Sequence, residues 1–250
     1  MFNLRSQSTY PRRTHKIPMK YGYYSDSEPS AFGEYPFRCP SWNPMPEGKK
    51  NVVILGCSHT WGVGLEPHET WVHHVSQHNT DRLRYWNLGQ PGLSPEGCVR
   101  MLYKTEKTLH PNIIIICWPA ESRREWLDTE SVRNPKNLMG TDEKLKYQND
   151  VTDRQTFLKS LFFVEKFAEK QNAKTFHLFA DTYVDIKKHN PQLNVLEEYT
   201  LRNCWPHWDK FTARELHTQP SRARDGQHYG TEHHERFAKL FLEKFGQKLR

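Results

Sequence analysis

Residues 51–65, with the sequence NVVILGCSHTWGVGL, decide how the rest of the chain can be interpreted. The first five are apolar and rich in β-branched side chains, which predicts a strand buried in a parallel sheet. Gly56 ends this strand, and Ser58 follows almost at once, with Gly62 and Gly64 beyond it. Because reactive groups collect at the carboxyl ends of the strands in such sheets, Ser58 is a candidate nucleophile. The alternative is an ordinary turn in which Ser58 caps the next helix.

Strand and helix patterns alternate along the rest of the chain, which is typical of a parallel sheet covered by helices on both faces. Strands are predicted at 51–55, 83–87, 113–117 and 174–180, and helices at 69–77, 95–109, 156–171 and 231–249. The apolar stripe of the helix at 156–171 is interrupted by Glu165. These patterns predict an α/β fold.

The remaining segments suggest a division of the chain into an arm and one domain. Residues 1–49 are rich in Pro, Tyr, Ser and Arg and lack periodicity, which predicts an irregular arm that packs against the domain. Residues 50–250 then form a single domain. Within it, the polar stretch at about 120–150 is predicted to be an insertion that forms a rim or lid of the site, and the alternative is a solvent-exposed insertion remote from the site.

A second chemically suggestive stretch, RDGQHYG, begins at Arg224 and stands just before the final predicted helix. A carboxylate at Asp225 can lie beside the imidazole of His228, fix its tautomer and stabilise the imidazolium. A serine hydroxyl needs such a base to take its proton. The alternative is an ordinary surface loop, because a chain with 14 histidines can contain an Asp and a His three residues apart by chance.

A third stretch, NLGQPGLS at 87–94, follows the predicted strand at 83–87. Its glycines allow the backbone to approach a ligand closely and to point N–H groups at it, as an oxyanion hole requires. A plain turn before a helix is the alternative.

Taken together, the three stretches resemble the SGNH (GDSL-like) hydrolase family. GCSHTWGVGL is similar to the family's first block, G-D-S-x-T-x-G-x-G, NLGQPGLS to its second block, and DGQH to its last block, D-G-x-H-P. The resemblance covers residues 51–245 and implies a three-layer α/β/α domain with a parallel, flavodoxin-like sheet. It implies that Ser58 is nucleophile and first oxyanion donor, Gly92 a second donor, His228 the base and Asp225 its orienting carboxylate.

The sequence departs from the family at three places. Cys57 stands where Asp is usual, and Tyr229 replaces the proline that often follows the histidine. The third block, G-x-N-D, is missing, and with it the Asn that donates to the oxyanion. Candidates to replace that donor are Ser122, Arg123 and Arg124.

Composition and spacing argue against several other classes of protein. The net charge is +7, but basic residues are scattered among acids, so no nucleic-acid partner is expected. Five cysteines form no C-x-x-C pair, which argues against a disulfide framework and structural zinc. His74 and His78 could share a helix face, but no third ligand is apparent, so neither a metal nor another cofactor is predicted. No stretch approaches the ~20 apolar residues of a membrane span, and the first residues lack the apolar core of a signal peptide, which predicts a cytoplasmic protein without membrane contact.

Two functions remain. The first is a serine esterase or deacylase that acts on a small-molecule or glycan ester, with a carbohydrate acyl ester as the leading substrate class. The second is a non-catalytic SGNH-like module that binds glycan or protein. Trp205 and Trp208 are candidates for stacking on sugar faces, although packing in the core is the preferred explanation for them.

Overall fold

A computed structural model describes eight parts of the chain: residues 37–39, 48–126, 136–138, 150–181, 183–197, 199–204, 222–226 and 228–250. In these parts the strands are β1 (Lys50–Gly56), β2 (Leu83–Asn87), β3 (Ile113–Trp118), β4 (Arg124–Trp126), β5 (Lys136–Leu138) and β6 (Lys174–Phe179). The α-helices are α1 (Ser58–Trp61), α2 (Trp71–Ser76), α3 (Pro95–Leu109), α4 (Asp150–Gln171) and α5 (Thr231–Phe245). Short 3-10 turns lie at Pro67–Glu69, Arg202–Cys204 and Gly246–Leu249.

Four parallel strands form the central sheet, in the order β2-β1-β3-β6. The apolar runs of β1 and β3 lie side by side at its centre, where Ile54 pairs with Ile115. Both runs are buried because helices cover both faces of the sheet. The strands predicted from these runs are confirmed, and β3 extends one residue further, to Trp118.

Helices lie on both faces of this sheet. Helices α3 and α4 pack together on one face, and α2 and α5 on the other. Along β6 the side chains alternate accordingly: Phe176 contacts Phe241 and Phe245 of α5, whereas Phe179 contacts Phe157 of α4. The prediction of a three-layer α/β/α domain with a parallel sheet is therefore confirmed.

Glu165, which interrupts the apolar stripe of α4, binds a buried histidine. Its carboxylate lies 3.0 Å from His177 Nε2, and Trp118 Nε1–H donates to His177 Nδ1, also at 3.0 Å. Because an acceptor role at Nδ1 requires the proton on Nε2, the two contacts select one tautomer of His177. Glu165 thus supplies the acceptor for the Nε2 proton of a fully buried histidine ring.

The predicted insertion is described only in part. Its strands β4 and β5 pair antiparallel, with Arg124 opposite Leu138. Residues 127–135 and 139–149 lie outside the described residues, as do most of the arm (1–36 and 40–47), Trp205 and Trp208. The rim or lid role and the sugar-stacking role therefore stay predictions. All five cysteines are free and buried. In the described parts of the chain, no helix is long and apolar enough to cross a membrane.

Candidate active site

The predicted site residues lie at one edge of the sheet, where the parallel strands end. Ser58 follows β1, Gly92 lies in the loop after β2, and the residues that replace the missing Asn lie in the loop after β3. This is the edge at which parallel α/β sheets bind ligands. The fold therefore gathers three stretches that are far apart in sequence.

Ser58 is the first residue of α1 and is buried. Cys57 is the N-cap residue before the helix, where its carbonyl accepts hydrogen bonds from the Thr60 and Trp61 amides, and no side chain caps the helix. The alternative role of Ser58 as a helix cap is therefore not observed. Among the described residues, neither the hydroxyl nor the N–H of Ser58 has a hydrogen-bond partner. Both groups are available to a ligand.

The loop after β2 packs closely against α1 and is hydrogen-bonded to it. Asn87 Nδ2 donates to the Thr60 carbonyl, and Asn87 Oδ1 accepts from the Gly89 amide, each at 3.0 Å. A Cβ at Gly89 would lie 2.7 Å from the Trp61 amide nitrogen, so only glycine permits this approach. Gly92, with φ of +78°, follows in the same loop, and its N–H donates no hydrogen bond within the described part of the chain.

Asp225 and His228 form a close pair in the loop before α5. His228 Nδ1 lies 2.5 Å from Asp225 Oδ2, and the His228 amide donates to Asp225 Oδ1 at 3.1 Å. The carboxylate thus holds the ring by Nδ1 and leaves Nε2, which has no hydrogen-bond partner among the described residues, for other chemistry. This is the orientation in which a histidine can accept a proton at Nε2.

The loop that carries this pair is packed on the segment that follows Ser58. The Arg224 amide donates to the Gly64 carbonyl at 3.0 Å, and the Arg224 guanidinium binds Glu69 through two hydrogen bonds of 2.5 and 2.8 Å. That bidentate pair lowers the pKa of Glu69 to about 2. A Cβ at Gly64 would lie 3.0 Å from Asp225 Oδ1, so the Asp225 carboxylate rests directly on this glycine.

His59 connects the two halves of the site. It follows Ser58 in α1, and its ring centroid lies 5.1 Å from that of His228. The His228 ring is therefore beside the residue next to the candidate nucleophile. Ser58 and His228 do not hydrogen-bond to each other in this structure. Catalytic hydrogen bonds of unliganded enzymes are often long or poorly aligned and tighten when substrate binds.

Three further residues of the site were not singled out as functional by the sequence analysis. The Tyr229 hydroxyl donates to Asp181 Oδ1 at 2.8 Å, and its ring stacks on His59 with 4.8 Å between centroids. His59 Nε2 lies 3.8 Å from the same carboxylate oxygen. Asp181 stands two residues after the end of β6, and a carboxylate that follows a predicted strand was the signal that could have revealed it.

Burial and charge set the protonation states of these residues. Burial lowers the pKa of His59 to about 3, against the raising influence of Asp181, so the ring is neutral at pH 7. Burial by itself raises the pKa of Asp181, but His59, the Tyr229 hydrogen bond and the charge of Arg123 hold it below its ordinary value. Burial and the Asp181 carboxylate raise the pKa of Tyr229, which keeps its proton on the donor side of the bond.

The loop after β3 divides its two arginines between different partners. Arg124 binds Asp153 of α4 at 2.6 Å and lies 3.8 Å from Glu96 of α3. Arg123 instead acts electrostatically on the site, because its positive charge lowers the pKa of both His59 and Asp181. Arg123 is therefore the arginine whose charge acts on the site, Ser122 is half-buried, and the replacement of the missing Asn by one of the three residues stays a prediction.

The histidine pairs serve other contacts. His78 Nε2 lies 3.1 Å from the Gly246 carbonyl, and His234 Nδ1 accepts from the Trp71 amide at the start of α2. In the described residues, no group of three or more His, Cys, Asp or Glu side chains could hold a metal ion.

Comparison with known proteins gives similarity at the level of the fold. No family model matches the chain, and no curated protein matches it. Solved structures that are similar to it include esterases and lipolytic proteins.

Three of these structures illustrate the similarity. A psychrotrophic esterase from Pseudoalteromonas sp., inhibited by monoethylphosphonate, is 13% identical and is matched over 80% of this chain and 99% of its own, with a TM-score of 0.48. A member of the lipolytic G-D-S-L family from Veillonella parvula is 14% identical over 78% and 98%, with a TM-score of 0.48. An acetyl xylan esterase is 16% identical over 77% and 98%, with a TM-score of 0.44.

Proposed function

We propose that this chain is a serine esterase or deacylase that cleaves an acyl ester through an acyl-enzyme. The observation that carries the proposal is the Asp225–His228 pair, which is packed on Gly64 and contacts His59, the residue next to the buried Ser58. Acyl transfer to serine requires three groups: a serine hydroxyl, an imidazole whose Nε2 is available, and a carboxylate that binds the imidazole at Nδ1. The free N–H groups of Ser58 and Gly92 add the donors that such a site needs.

In the first half of the reaction, Ser58 Oγ attacks the ester carbonyl carbon while His228 Nε2 takes the hydroxyl proton. Asp225 stabilises the imidazolium that forms. As the tetrahedral intermediate collapses, the bond to the alcohol oxygen breaks and His228 returns the proton to that oxygen. The alcohol leaves, and the acyl group stays on Ser58.

In the second half, His228 takes a proton from water, whose oxygen attacks the acyl carbon. The bond to Ser58 Oγ then breaks, His228 reprotonates the serine, and the carboxylic acid leaves. An acceptor alcohol that replaces this water would give acyl transfer instead of hydrolysis.

Negative charge on the carbonyl oxygen needs donors in both halves. We assign these to the N–H groups of Ser58 and Gly92, with Arg123 in the place of the missing Asn. A guanidinium stays protonated and presents several donors, so it can stabilise an oxyanion. Its charge also favours an anionic substrate, and an acyl ester on a carbohydrate is the proposed substrate class.

The test is covalent labelling by a fluorophosphonate probe, which reacts with activated serines, followed by hydrolysis of short-chain p-nitrophenyl esters and acetylated sugars. We expect the wild type to be labelled on Ser58, and Ser58→Ala and His228→Ala each to abolish labelling and turnover. The second candidate, a non-catalytic glycan- or protein-binding module, is favoured by the missing third-block Asn. That candidate predicts no labelling and an undiminished affinity for glycan or protein in Ser58→Ala.

A further inference from the structure

Tyr229 makes two contacts that reach away from its own loop. Its hydroxyl donates to Asp181, and its ring stacks on His59 with an interplanar angle of 20°. The hydrogen bond is favourable because Asp181 is ionised at neutral pH and accepts, while Tyr229 keeps its proton and donates. Tyr229 is therefore fixed by a charge-assisted hydrogen bond at one end and by a ring stack along its face.

These contacts join the loop to two different strands of the sheet. Asp181 stands at the end of β6, and His59 stands in α1 at the end of β1. The neighbour of Tyr229 in the chain is His228, whose ring also contacts His59. Attachment at both Asp181 and His59 restricts the movement of the loop more than one contact would. The contacts of Tyr229 therefore help to fix the position of His228.

On its Asp225 side the loop is attached to the first block, where Arg224 binds the Gly64 carbonyl and Glu69. On its His228 side, the backbone contacts among the described residues lie within the loop itself: the Ala223 amide donates to the His228 carbonyl, and Arg222 and Tyr229 form an isolated antiparallel bridge. Gly226 lies between the Asp and the His with φ of +70° and open space around it. The Asp225–His228 hydrogen bond holds the ring within the loop, but it does not fix the loop relative to Ser58.

We propose that Tyr229 and Asp181, with His59 as the stacking surface, are positioning residues that hold His228 within reach of Ser58. The proposal rests on the proposed function, because it assigns a role in the reaction of Ser58 with His228. Displacement of a catalytic group by about 1 Å can lower a rate by roughly 10²-fold, so a loosened loop should be visible in the kinetics.

The experiment compares two tyrosine variants that each lose one partly buried, hydrogen-bonded hydroxyl. Tyr229→Phe removes the hydrogen bond to Asp181 and leaves the ring. Tyr85→Phe is the matched control, because the Tyr85 hydroxyl donates to the His78 carbonyl at 2.7 Å, in a part of the fold that carries none of the site residues. The readouts are the rate of fluorophosphonate labelling of Ser58, kcat and KM for a p-nitrophenyl ester, and urea unfolding.

We expect Tyr229→Phe to be labelled roughly 10-fold more slowly than the wild type, with a matching fall in kcat and little change in KM. Tyr85→Phe should lose about as much stability and react at the wild-type rate. Labelling of Tyr229→Phe at the wild-type rate, or an equal slowing in Tyr85→Phe, would overturn the proposal. If the wild type itself is not labelled, the proposed function fails instead, which separates the two failures.

A pair of aspartate variants tests the same contact from its other end. Asp181→Asn keeps an oxygen that can accept from Tyr229, whereas Asp181→Ala removes it. We expect the Asn variant to retain a labelling rate within about 3-fold of the wild type and the Ala variant to fall to the rate of Tyr229→Phe. Equal losses in both variants would contradict a positioning role.

Discussion

Replacement of Gly64 by alanine tests whether the first block supports Asp225, the carboxylate of the proposed triad. Gly64 has φ of +77°, and a Cβ there would lie 2.9 Å from Ala223 Cβ and 3.0 Å from Asp225 Oδ1. The left-handed backbone alone should cost the alanine variant about 1–2 kcal/mol of stability. To restore ordinary contact, Asp225 must also move by roughly 0.5 Å, and His228 moves with it because the two are hydrogen-bonded.

The expected result is a loss of reactivity larger than the loss of stability explains. Labelling of Ser58 by the fluorophosphonate probe should fall by about 10-fold or more in Gly64→Ala. Gly48→Ala is the matched control, because Gly48 has φ of +80° and nothing within 4 Å of a Cβ. It should show similar backbone strain in urea unfolding and label at the wild-type rate. If Gly64→Ala also labels at that rate, the packing of Asp225 on the first block does not matter for the reaction.

Two further predictions concern the arginines after β3 and the buried histidines. Arg123→Ala should lower kcat by roughly 10²–10³ with little change in the free energy of unfolding. Arg124→Ala should leave kcat unchanged and lower that free energy by about 3 kcal/mol, because it leaves the buried Asp153 carboxylate without its ion-pair partner. The reverse pattern in kinetics and urea unfolding would contradict both roles. Burial lowers the pKa of His59 to about 3, of His233 to about 4, and of His234 well below its usual value. Below pH ~6.5 the unfolded chain binds more protons than the folded one, so stability is complete above that pH and falls by about 2 kcal/mol per histidine at pH 5. A free energy of unfolding that stays constant between pH 7 and pH 5 would refute this.

Elements with strong local signals could be predicted from the sequence. The continuous apolar runs of β1 and β3 gave strands within a residue or two of the observed bounds. Helix α3 begins where predicted because Ser94 caps the Gly97 amide and Pro95 occupies the first turn. Helix α4 begins at Asp150, six residues before the predicted start at 156, because its polar first turns bury Asp153 against Arg124, a contact that periodicity does not reveal.

Contacts between distant segments set the limit for the site. The resemblance to known blocks indicated Asp225 and His228, which the structure brings together. It did not indicate Asp181, because the role of that carboxylate is to accept a hydrogen bond from Tyr229, which is 48 residues away in the sequence. Nor could the sequence tell which of Arg123 and Arg124 acts on the site and which binds Asp153. Two adjacent arginines have the same chemistry, and only the folded loop shows on which side the partners of each one lie.

The most direct test of the central claim is mass spectrometry of the protein after reaction with a fluorophosphonate probe. The proposed reaction predicts one added phosphonyl group on Ser58 in the wild type and none in Ser58→Ala. It also predicts that labelling requires the His228 imidazole as base, so His228→Ala should remain unlabelled although its Ser58 is intact. A wild-type protein that stays unmodified while it is folded, or one that is modified on a residue other than Ser58, would contradict the assignment of Ser58 as nucleophile.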